Sequence, residues 1–324
     1  MDHVQLGTST IQASALAMGS DVLGSKVDRE TTFALLDFYF ESGGNLIDTA
    51  NFYASWLPGC SGGESENIIG AWVQERGNRD QLLLSSKLAF DYPGSGGGLS
   101  ASEIERECEK SLKRLRTDRL DIYYAHRDDL TTPLEETMAA FHRLVVAGKV
   151  RILGASNLPV WRIAEANTIA LTNGHTSYQL IQQRYTYVRP RHGADFGPQI
   201  FLNEETKAFA KQHEIGLVAY SVLLQGAYTR SDRPLPAQFA GVDSEERIAA
   251  LKAVAGELGV SPNQVVIAWM RQSTPSVLPI IMGSTKAQLK ENIDALNTVL
   301  SADQMTHLTS AGNPIIREAW LQPT

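Results

Sequence analysis

The stretch Asn45-Leu46-Ile47-Asp48-Thr49-Ala50-Asn51-Phe52-Tyr53 decides the fold, because it reads as a short apolar strand that ends at Asp48 and runs into a loop carrying Tyr53. Other apolar runs of the chain end in the same way. They deliver polar side chains at Lys87, at His126 and at Ser156-Asn157. In a parallel sheet or barrel the carboxyl ends of the strands lie on one face, where active sites are found. We therefore expect these side chains to lie together.

Strands and helices alternate along the rest of the chain. The predicted strands cover residues 15–18, 46–48, 82–86, 120–125, 151–155, 177–182, 217–220 and 277–281. The predicted helices cover about 28–41, 64–76, 104–115, 132–148, 160–172, 203–213, 245–258, 262–272 and 287–296. This alternation implies right-handed βαβ units and a parallel sheet. Eight such units in about 300 residues favour a closed (β/α)8 TIM barrel over an open doubly wound sheet.

The ends of the chain add to this barrel. Residues 3–13 have the pattern of a small amino-terminal β-hairpin with a polar turn. Beyond the last predicted strand we expect carboxy-terminal loop and helix additions, with a tail after residue 296. No composition shift marks a linker, so the sequence predicts a single barrel domain over residues 1–324.

Composition limits the possible partners. The chain has 324 residues, 43% of them hydrophobic, and a formal net charge of −7, which disfavours nucleic acid or an anionic membrane as a partner. Its two cysteines, Cys60 and Cys108, give neither a disulfide framework nor metal-ligand spacing. Neither a signal peptide nor a membrane-spanning apolar run is visible. We expect a cytoplasmic protein, and the sequence gives no signal for its oligomeric state.

Two local patterns also carry predictions. The segment Pro93-Gly94-Ser95-Gly96-Gly97-Gly98 lacks the spacing of a dinucleotide or phosphate-binding motif, so it is predicted to be a mobile loop. Thr132, Pro133 and Glu135 have the pattern of a helix start, with Thr132 as the N-cap and Glu135 closing a capping box.

The predicted group of Asp48, Tyr53, Lys87 and His126 suggests acid/base chemistry. A tyrosine has an ordinary pKa near 10, and a neighbouring lysine cation is expected to lower it. An aspartate beside the lysine would hold the ammonium in place, and a histidine would orient a carbonyl oxygen. Such a site suits proton delivery to a carbonyl while a cofactor supplies hydride. Each residue alone is more often a turn, a loop aromatic or a solvated charge, and only the joint pattern reverses that interpretation.

Further motifs follow in order along most of the chain. They are Asp48 to Tyr53, Ser65-Glu66, Ile69-Gly70, Lys87 after Ser85-Ser86, Tyr124-Ala125-His126, Gly154-Ala155-Ser156-Asn157, Gln182 with Tyr185, Ala219-Tyr220-Ser221, and Gly283-Ser284-Thr285 with Gln288 and Asn292. With these residues the chain resembles the aldo-keto reductases. The resemblance implies a (β/α)8 barrel that binds a nicotinamide dinucleotide, usually NADPH, without a Rossmann domain.

The resemblance also implies a role for each matching position. Tyr53 would be the general acid, Lys87 and Asp48 would tune it, and His126 would orient the substrate carbonyl. The remaining positions would bind the cofactor: Ser156, Asn157 and Gln182 at the nicotinamide carboxamide, Tyr220 on the nicotinamide ring, Ser221 and Leu223 along the pyrophosphate, Gly283, Ser284, Thr285, Gln288 and Asn292 at the adenosine end, with Gly19 and Ser20 after the first strand. Hydroxyl and amide side chains suit a carboxamide, and an aromatic face suits a flat ring.

The chain departs from the family pattern in two places. The loop from Ala54 to Glu64 is long, which brings Trp56 near the pocket mouth and predicts an apolar contact with substrate. At the adenosine end, Met282 and Ser284 stand where NADPH-specific relatives often carry a cation, and Lys286 can still supply one. The sequence favours NADP(H) and leaves NAD(H) possible.

Three functions remain open from the sequence. The leading one is a reductase or dehydrogenase acting on a small aldehyde, ketone or sugar-like molecule and the matching alcohol. The second is a regulatory or redox-sensor subunit that binds the cofactor and turns over slowly, by analogy of fold only. The third, a barrel enzyme using a metal or a Schiff base, has little support because no cluster of metal ligands is visible.

Overall fold

A closed parallel barrel organises the molecule. The computed structural model describes residues 1–312. The barrel strands are β3 (Ala17–Gly19), β4 (Leu46–Asp48), β5 (Leu83–Leu88), β6 (Leu120–Ala125), β7 (Val150–Ser156), β8 (Tyr178–Arg184), β9 (Gly216–Tyr220) and β10 (Val277–Ile281). They pair in sequence order, and β10 closes the ring against β3. The predicted (β/α)8 fold is therefore confirmed.

The amino-terminal hairpin closes one end of this barrel. It consists of β1 (His3–Gln5) and β2 (Gln12–Ser14), which pair antiparallel as the sequence predicts. Leu6 and Ile11, at its turn, are buried together with the inward-facing apolar side chains of the barrel. These include Leu46, Leu83 and Leu180. The hairpin therefore blocks the amino end, and the carboxyl ends of the strands are left for chemistry.

Helices cover the outside of the barrel. They are α1 (Arg29–Glu41), α2 (Glu64–Arg76), α3 (Ala101–Leu115), α4 (Leu134–Val146), α5 (Val160–Thr172), α6 (Glu204–Gln212), α7 (Val242–Leu258), α8 (Pro262–Gln272), α9 (Lys286–Asp294) and α10 (Ala302–Ser310). Within residues 1–312, no helix combines the length and the apolar character that crossing a membrane requires.

The predicted helix boundaries are right in most places and wrong in two. The helix at 287–296 ends instead at Asp294, and the tail predicted after it contains α10, which starts from a capping box of Ser301 and Gln304. The rest of the predicted tail lies outside the described residues. The predicted Thr132 cap is also wrong: α4 begins after Pro133, and the Thr132 hydroxyl donates instead to Asp129 Oδ2 at 2.7 Å.

Close packing of two helices fixes the strand that carries Lys87. A Cβ on Gly70 of α2 would lie 2.2 Å from the carbonyl oxygen of Arg114 in α3, so only glycine permits this approach. Arg114 then donates to Glu66 at 2.9 Å, and the other oxygen of Glu66 accepts from Ser86 Oγ at 2.6 Å. Since Ser86 precedes Lys87 on β5, the helix pair holds this strand in position.

Candidate active site

A buried chain of three polar side chains lies at the carboxyl end of the barrel. Lys87 Nζ donates to Asp48 Oδ2 at 2.6 Å and to Tyr53 Oη at 2.9 Å. Its third hydrogen bond is to the Thr49 carbonyl at 2.8 Å, so all three ammonium protons are used. Because Tyr53 Oη accepts from Lys87, its own O–H is left to donate to another group. The structure thus brings together three residues that the sequence predicted to converge.

Asp48 is held by two side chains that sequence reasoning did not single out in this role. Ser85 Oγ donates to Asp48 Oδ1 at 2.7 Å, and Gln182 Nε2 donates to the same oxygen at 3.0 Å. Ser85 lies two residues before Lys87 on β5, so the period of two along a strand could have placed it on the same face. Gln182 had been assigned to a cofactor carboxamide, and its contact with Asp48 needed the three-dimensional structure.

Burial is the largest influence on the pKa values of Tyr53 and Lys87. It raises the pKa of Tyr53 well above 10.0, and the Asp48 carboxylate adds to the rise. The pKa that was expected to fall is therefore raised in the protein alone, because burial takes water away from the phenolate and nearby Asp48 repels it. Burial also lowers the pKa of Lys87, while Asp48 opposes that shift. The site presents a protonated phenol supported by a cation.

His126 lies beside Tyr53, and their ring centroids are 6.0 Å apart. Its backbone N–H donates to Leu88, which anchors the residue directly after β6. Burial lowers the pKa of His126 well below 6.5, and the charge on Lys87 lowers it further, so the ring is neutral. Its Nδ1 is buried and has no hydrogen-bond partner among the described residues. A neutral imidazole here can orient an oxygen without bringing a second positive charge.

Aromatic rings form the wall above these polar groups. Phe52 stacks on Phe90 with ring centroids 4.7 Å apart, and both rings contact His126 at 5.2 and 5.0 Å. Trp56, in the long loop after Tyr53, lies 5.4 Å from Phe52 and remains 49% exposed. The mouth of the site therefore offers flat apolar surfaces next to the phenol. Sequence reasoning identified Trp56 but missed Phe52 and Phe90.

Hydroxyl and amide groups line the neighbouring strand ends. Ser156, the last residue of β7, pairs in register with Gln182 of β8, so the two residues lie side by side on adjacent strands. Asn157 follows with φ +59°, and its Nδ2 donates to the His126 carbonyl at 3.0 Å and to Ser156 Oγ at 3.2 Å. Its Oδ1 accepts from Tyr220 Oη at 2.6 Å and from the Ile200 N–H at 3.2 Å. The donors and acceptors present fit a carboxamide, although the Asn157 amide would have to exchange one of these bonds.

The segment after β9 turns sharply beside a large cleft. Ser221, Leu224 and Gln225 all have φ between +47° and +58°, an uncommon conformation for residues other than glycine. Ser221 and Gln225 line a cleft of about 670 Å³, and Leu223 is half-buried next to it. Strained backbone of this kind is often kept at ligand sites. Of the two residues predicted to lie along a dinucleotide pyrophosphate, Ser221 therefore lines this cleft and Leu223 lies beside it.

The residues predicted for the adenosine end lie at the start of α9. Thr285 is the N-cap, and its hydroxyl accepts from the Gln288 N–H at 3.2 Å. Gln288 Oε1 accepts from the N–H and the hydroxyl of Ser284, at 2.9 and 3.0 Å. These three side chains are exposed and free to rearrange around a ligand. Asn292 is buried and donates to the Met282 carbonyl at 3.0 Å, so it shapes the turn.

Three small predicted residues lie where the backbone is crowded. A Cβ on Gly19 would lie 2.9 Å from Ile280 Cγ2, and one on Gly283 would lie 2.8 Å from the backbone nitrogen of Leu289. Ser20 is fully buried, and its hydroxyl donates to the Asp48 carbonyl at 2.7 Å. In this structure these residues therefore support the strand ends around the site.

A second buried network supports the loop between Asp48 and Tyr53. The Asn51 N–H donates to the Lys87 carbonyl at 3.1 Å, and its Nδ2 donates to Glu107 Oε2 at 2.7 Å. The same carboxylate oxygen accepts from Tyr92 Oη at 2.6 Å. Glu107 of α3 therefore ties the loop of Tyr53 to the glycine-rich loop after Phe90. Nothing in the spacing of these residues reveals the contact.

The fold and this grouping define a class of protein, the (β/α)8 oxidoreductases, and comparison with known proteins gives the family. A model of the aldo/keto reductase family matches residues 5–313. The chain is 33% identical over 330 residues to the aldo-keto reductase ausK of Emericella nidulans, covering 94% of this chain and 78% of that protein. The chain therefore belongs to the aldo/keto reductase family, a family of oxidoreductases.

Other relatives share comparable similarity. The chain is 31% identical over 335 residues to an aryl-alcohol dehydrogenase (NADP(+)) of Phanerodontia chrysosporium, covering 94% of this chain and 82% of that protein. It is 30% identical over 324 residues to norsolorinic acid reductase A of Aspergillus parasiticus, covering 93% of this chain and 78% of that protein.

The ion pair at the centre of the site predicts a non-additive effect on stability. The Lys87 side chain is 0% exposed and that of Asp48 is 5% exposed. Asp48→Asn or Lys87→Met would leave the other charge buried alone, so each should lower the free energy of unfolding by about 3 kcal/mol. The double variant should lose less than the sum of the two. Urea denaturation measures all three.

An exposed pair provides the control for this cycle. Lys290 and Asp294 of α9 form a salt bridge at 2.6 Å with side chains 63% and 39% exposed. Lys290→Met should therefore change stability very little. Additive losses at Asp48 and Lys87, or losses as small as that of the control, would contradict a buried charge pair.

Proposed function

We propose that this protein is an NADP(H)-dependent oxidoreductase that interconverts an aromatic carbonyl compound and the matching alcohol, with Tyr53 as its proton donor and acceptor. The observation that carries the proposal is the contact between Tyr53 Oη and Lys87 Nζ at 2.9 Å, on the floor of an aromatic mouth. The family membership supports oxidoreduction, and the name of one relative includes both aryl alcohol and NADP(+).

In reduction, Tyr53 donates its phenolic proton to the carbonyl oxygen of the substrate. Lys87 then stabilises the tyrosinate through the hydrogen bond it already makes, and Asp48 keeps the ammonium in place. Neutral His126 donates a hydrogen bond from its ring N–H to the same oxygen and so fixes its direction. In oxidation the same groups work in reverse, and Tyr53 removes the proton from the alcohol.

The cofactor, when bound, supplies or accepts the hydride. Ser156 and Gln182 would hold the carboxamide, together with Asn157 after it exchanges a bond, and Tyr220 would cover the ring. Ser221 and Leu223 would lie along the pyrophosphate. The groups for the adenosine end would be Ser284, Thr285, Gln288 and Asn292, with Gly19, Ser20 and Gly283 shaping the turns. We favour NADP(H) over NAD(H), with the exposed Lys286 as a cation for the 2′-phosphate.

The walls of the mouth favour an aromatic substrate. The ring of Phe52 lies within contact distance of both Phe90 and Trp56, and Trp56 also contacts the ring of Tyr53. Flat apolar walls bind a planar ring through dispersion and quadrupole contacts. A short aliphatic aldehyde would leave most of this surface exposed to water.

The proton role predicts a specific loss in Tyr53→Phe. The variant keeps the ring and loses only the hydroxyl, so the rate of carbonyl reduction should fall by about 100- to 10,000-fold. Binding of NADPH should stay within about twofold, because none of the proposed cofactor contacts uses the phenol. Stopped-flow reduction and a fluorescence titration measure the two quantities. Retention of most of the wild-type rate would disprove the assigned mechanism.

The aromatic mouth predicts a selective effect of Trp56→Ala. Loss of one ring should raise KM for an aromatic aldehyde about three- to tenfold and leave KM for a short aliphatic aldehyde nearly unchanged. Steady-state assays with benzaldehyde and propanal under saturating NADPH make the comparison. Trp161→Ala is the control, since that tryptophan of α5 is 58% exposed and contacts Arg162 instead. If Trp56→Ala and the wild-type protein have the same KM for each aldehyde, Trp56 does not bind substrate.

A further inference from the structure

An arginine that the resemblance does not assign projects into the cleft beside Tyr220. Arg184 is the last residue of β8 and pairs in register with Tyr220 on β9. It lines the cleft of about 670 Å³ together with Ser221, Gln225, Phe196 and Gln199. The cleft therefore places this cation next to the segment proposed to follow the cofactor pyrophosphate.

The guanidinium of Arg184 is held in a fixed direction. Its Nε and Nη2 both donate to Oε1 of Gln199, the former at 2.9 Å and the latter at 2.5 Å. Its carbon lies over the ring of Phe196 at 5.2 Å and over that of Tyr220 at 5.8 Å. Neither hydrogen bond uses Nη1. A fork that is already oriented loses little conformational freedom when it binds a phosphate.

This cation has no carboxylate partner in residues 1–312. Arg184 forms no ion pair within 4.0 Å there, and burial lowers its pKa from the ordinary value. Two acidic residues do line the cleft, but each already has a contact: Asp232 pairs with Arg230, and Asp195 accepts from the Gly197 N–H at 2.7 Å. Arg233 is a second cation on the same cleft, and its side chain is exposed. A desolvated cation is best stabilised by an anion that enters from the open side.

We propose that Arg184 binds the pyrophosphate of the nicotinamide dinucleotide, opposite Ser221 and Gln225. This inference rests on the proposed function, because it assumes that a dinucleotide is the ligand of the cleft. Arg184 would also supply a positive charge to a chain that carries Met282 and Ser284, both uncharged, near the 2′-phosphate. The positive charge would then act on the part that NADP and NAD share.

Dissociation constants for NADP+, NAD+ and 2′-AMP show which phosphate Arg184 contacts. Arg184→Gln should raise Kd for NADP+ and for NAD+ by the same factor, about tenfold or more, because both contain the pyrophosphate. Kd for 2′-AMP, which lacks a pyrophosphate, should not change. Arg184→Lys should restore part of the affinity, since it keeps the charge and loses the fork. Isothermal titration calorimetry gives each constant without any turnover, and thermal unfolding checks that each variant is folded.

Arg233→Gln is the matched control, because it removes a solvated cation from the same cleft. It should change Kd for the dinucleotides less than twofold at ordinary salt. Unchanged dinucleotide binding in Arg184→Gln would overturn the inference, as would a loss confined to NADP+ and 2′-AMP, which would place the arginine at the 2′-phosphate. Absence of dinucleotide binding by the wild-type protein would instead refute the proposed function.

Discussion

The buried contact of Lys87 with Asp48 and Tyr53 is the interaction on which the rest of the site depends. A fully buried ammonium requires compensation in every direction, and here a carboxylate, a carbonyl and a phenol oxygen provide it. Ser85 and Gln182 in turn hold the carboxylate. The phenol is thereby fixed as an acceptor toward Lys87, with its proton directed to another group. Removal of any one member leaves a polar group without its partner.

The barrel supplies this geometry through register. Asp48 at the end of β4 pairs with Ser85 on β5, two residues before Lys87. Lys87 in turn pairs with Tyr124, two residues before His126. The polar residues of neighbouring strands therefore lie close together at the carboxyl end of the barrel. The hairpin fills the opposite end, and the close packing of α2 on α3 fixes β5 from outside. The amino end of the barrel is thus closed by packing, and the polar residues gather at the carboxyl end, where active sites of this fold are found.

The sequence predicts those features that depend on the regular period of strands and helices. Strand ends such as Asp48, Lys87 and His126 could be located because polar residues interrupt apolar runs. The Thr132 cap could not be predicted correctly, because Asp129 competes for the same hydroxyl. Contacts between distant segments, such as Asn51 with Glu107 or Arg184 with Gln199, carry no local signal. The sign of the Tyr53 pKa shift depends on burial, which local sequence does not give.

The dependence of reduction on pH tests the central claim most directly. Since burial raises the pKa of Tyr53 above 10.0 and lowers that of His126 below 6.5, the phenol stays protonated and the imidazole neutral between those values. The single-turnover rate of carbonyl reduction, measured by stopped flow with saturating reduced cofactor, should therefore be level across neutral pH, where neither the phenol nor the imidazole titrates. An alkaline fall in that rate with a midpoint near neutral pH would contradict the account, because it would show that Lys87 outweighs burial at the phenol.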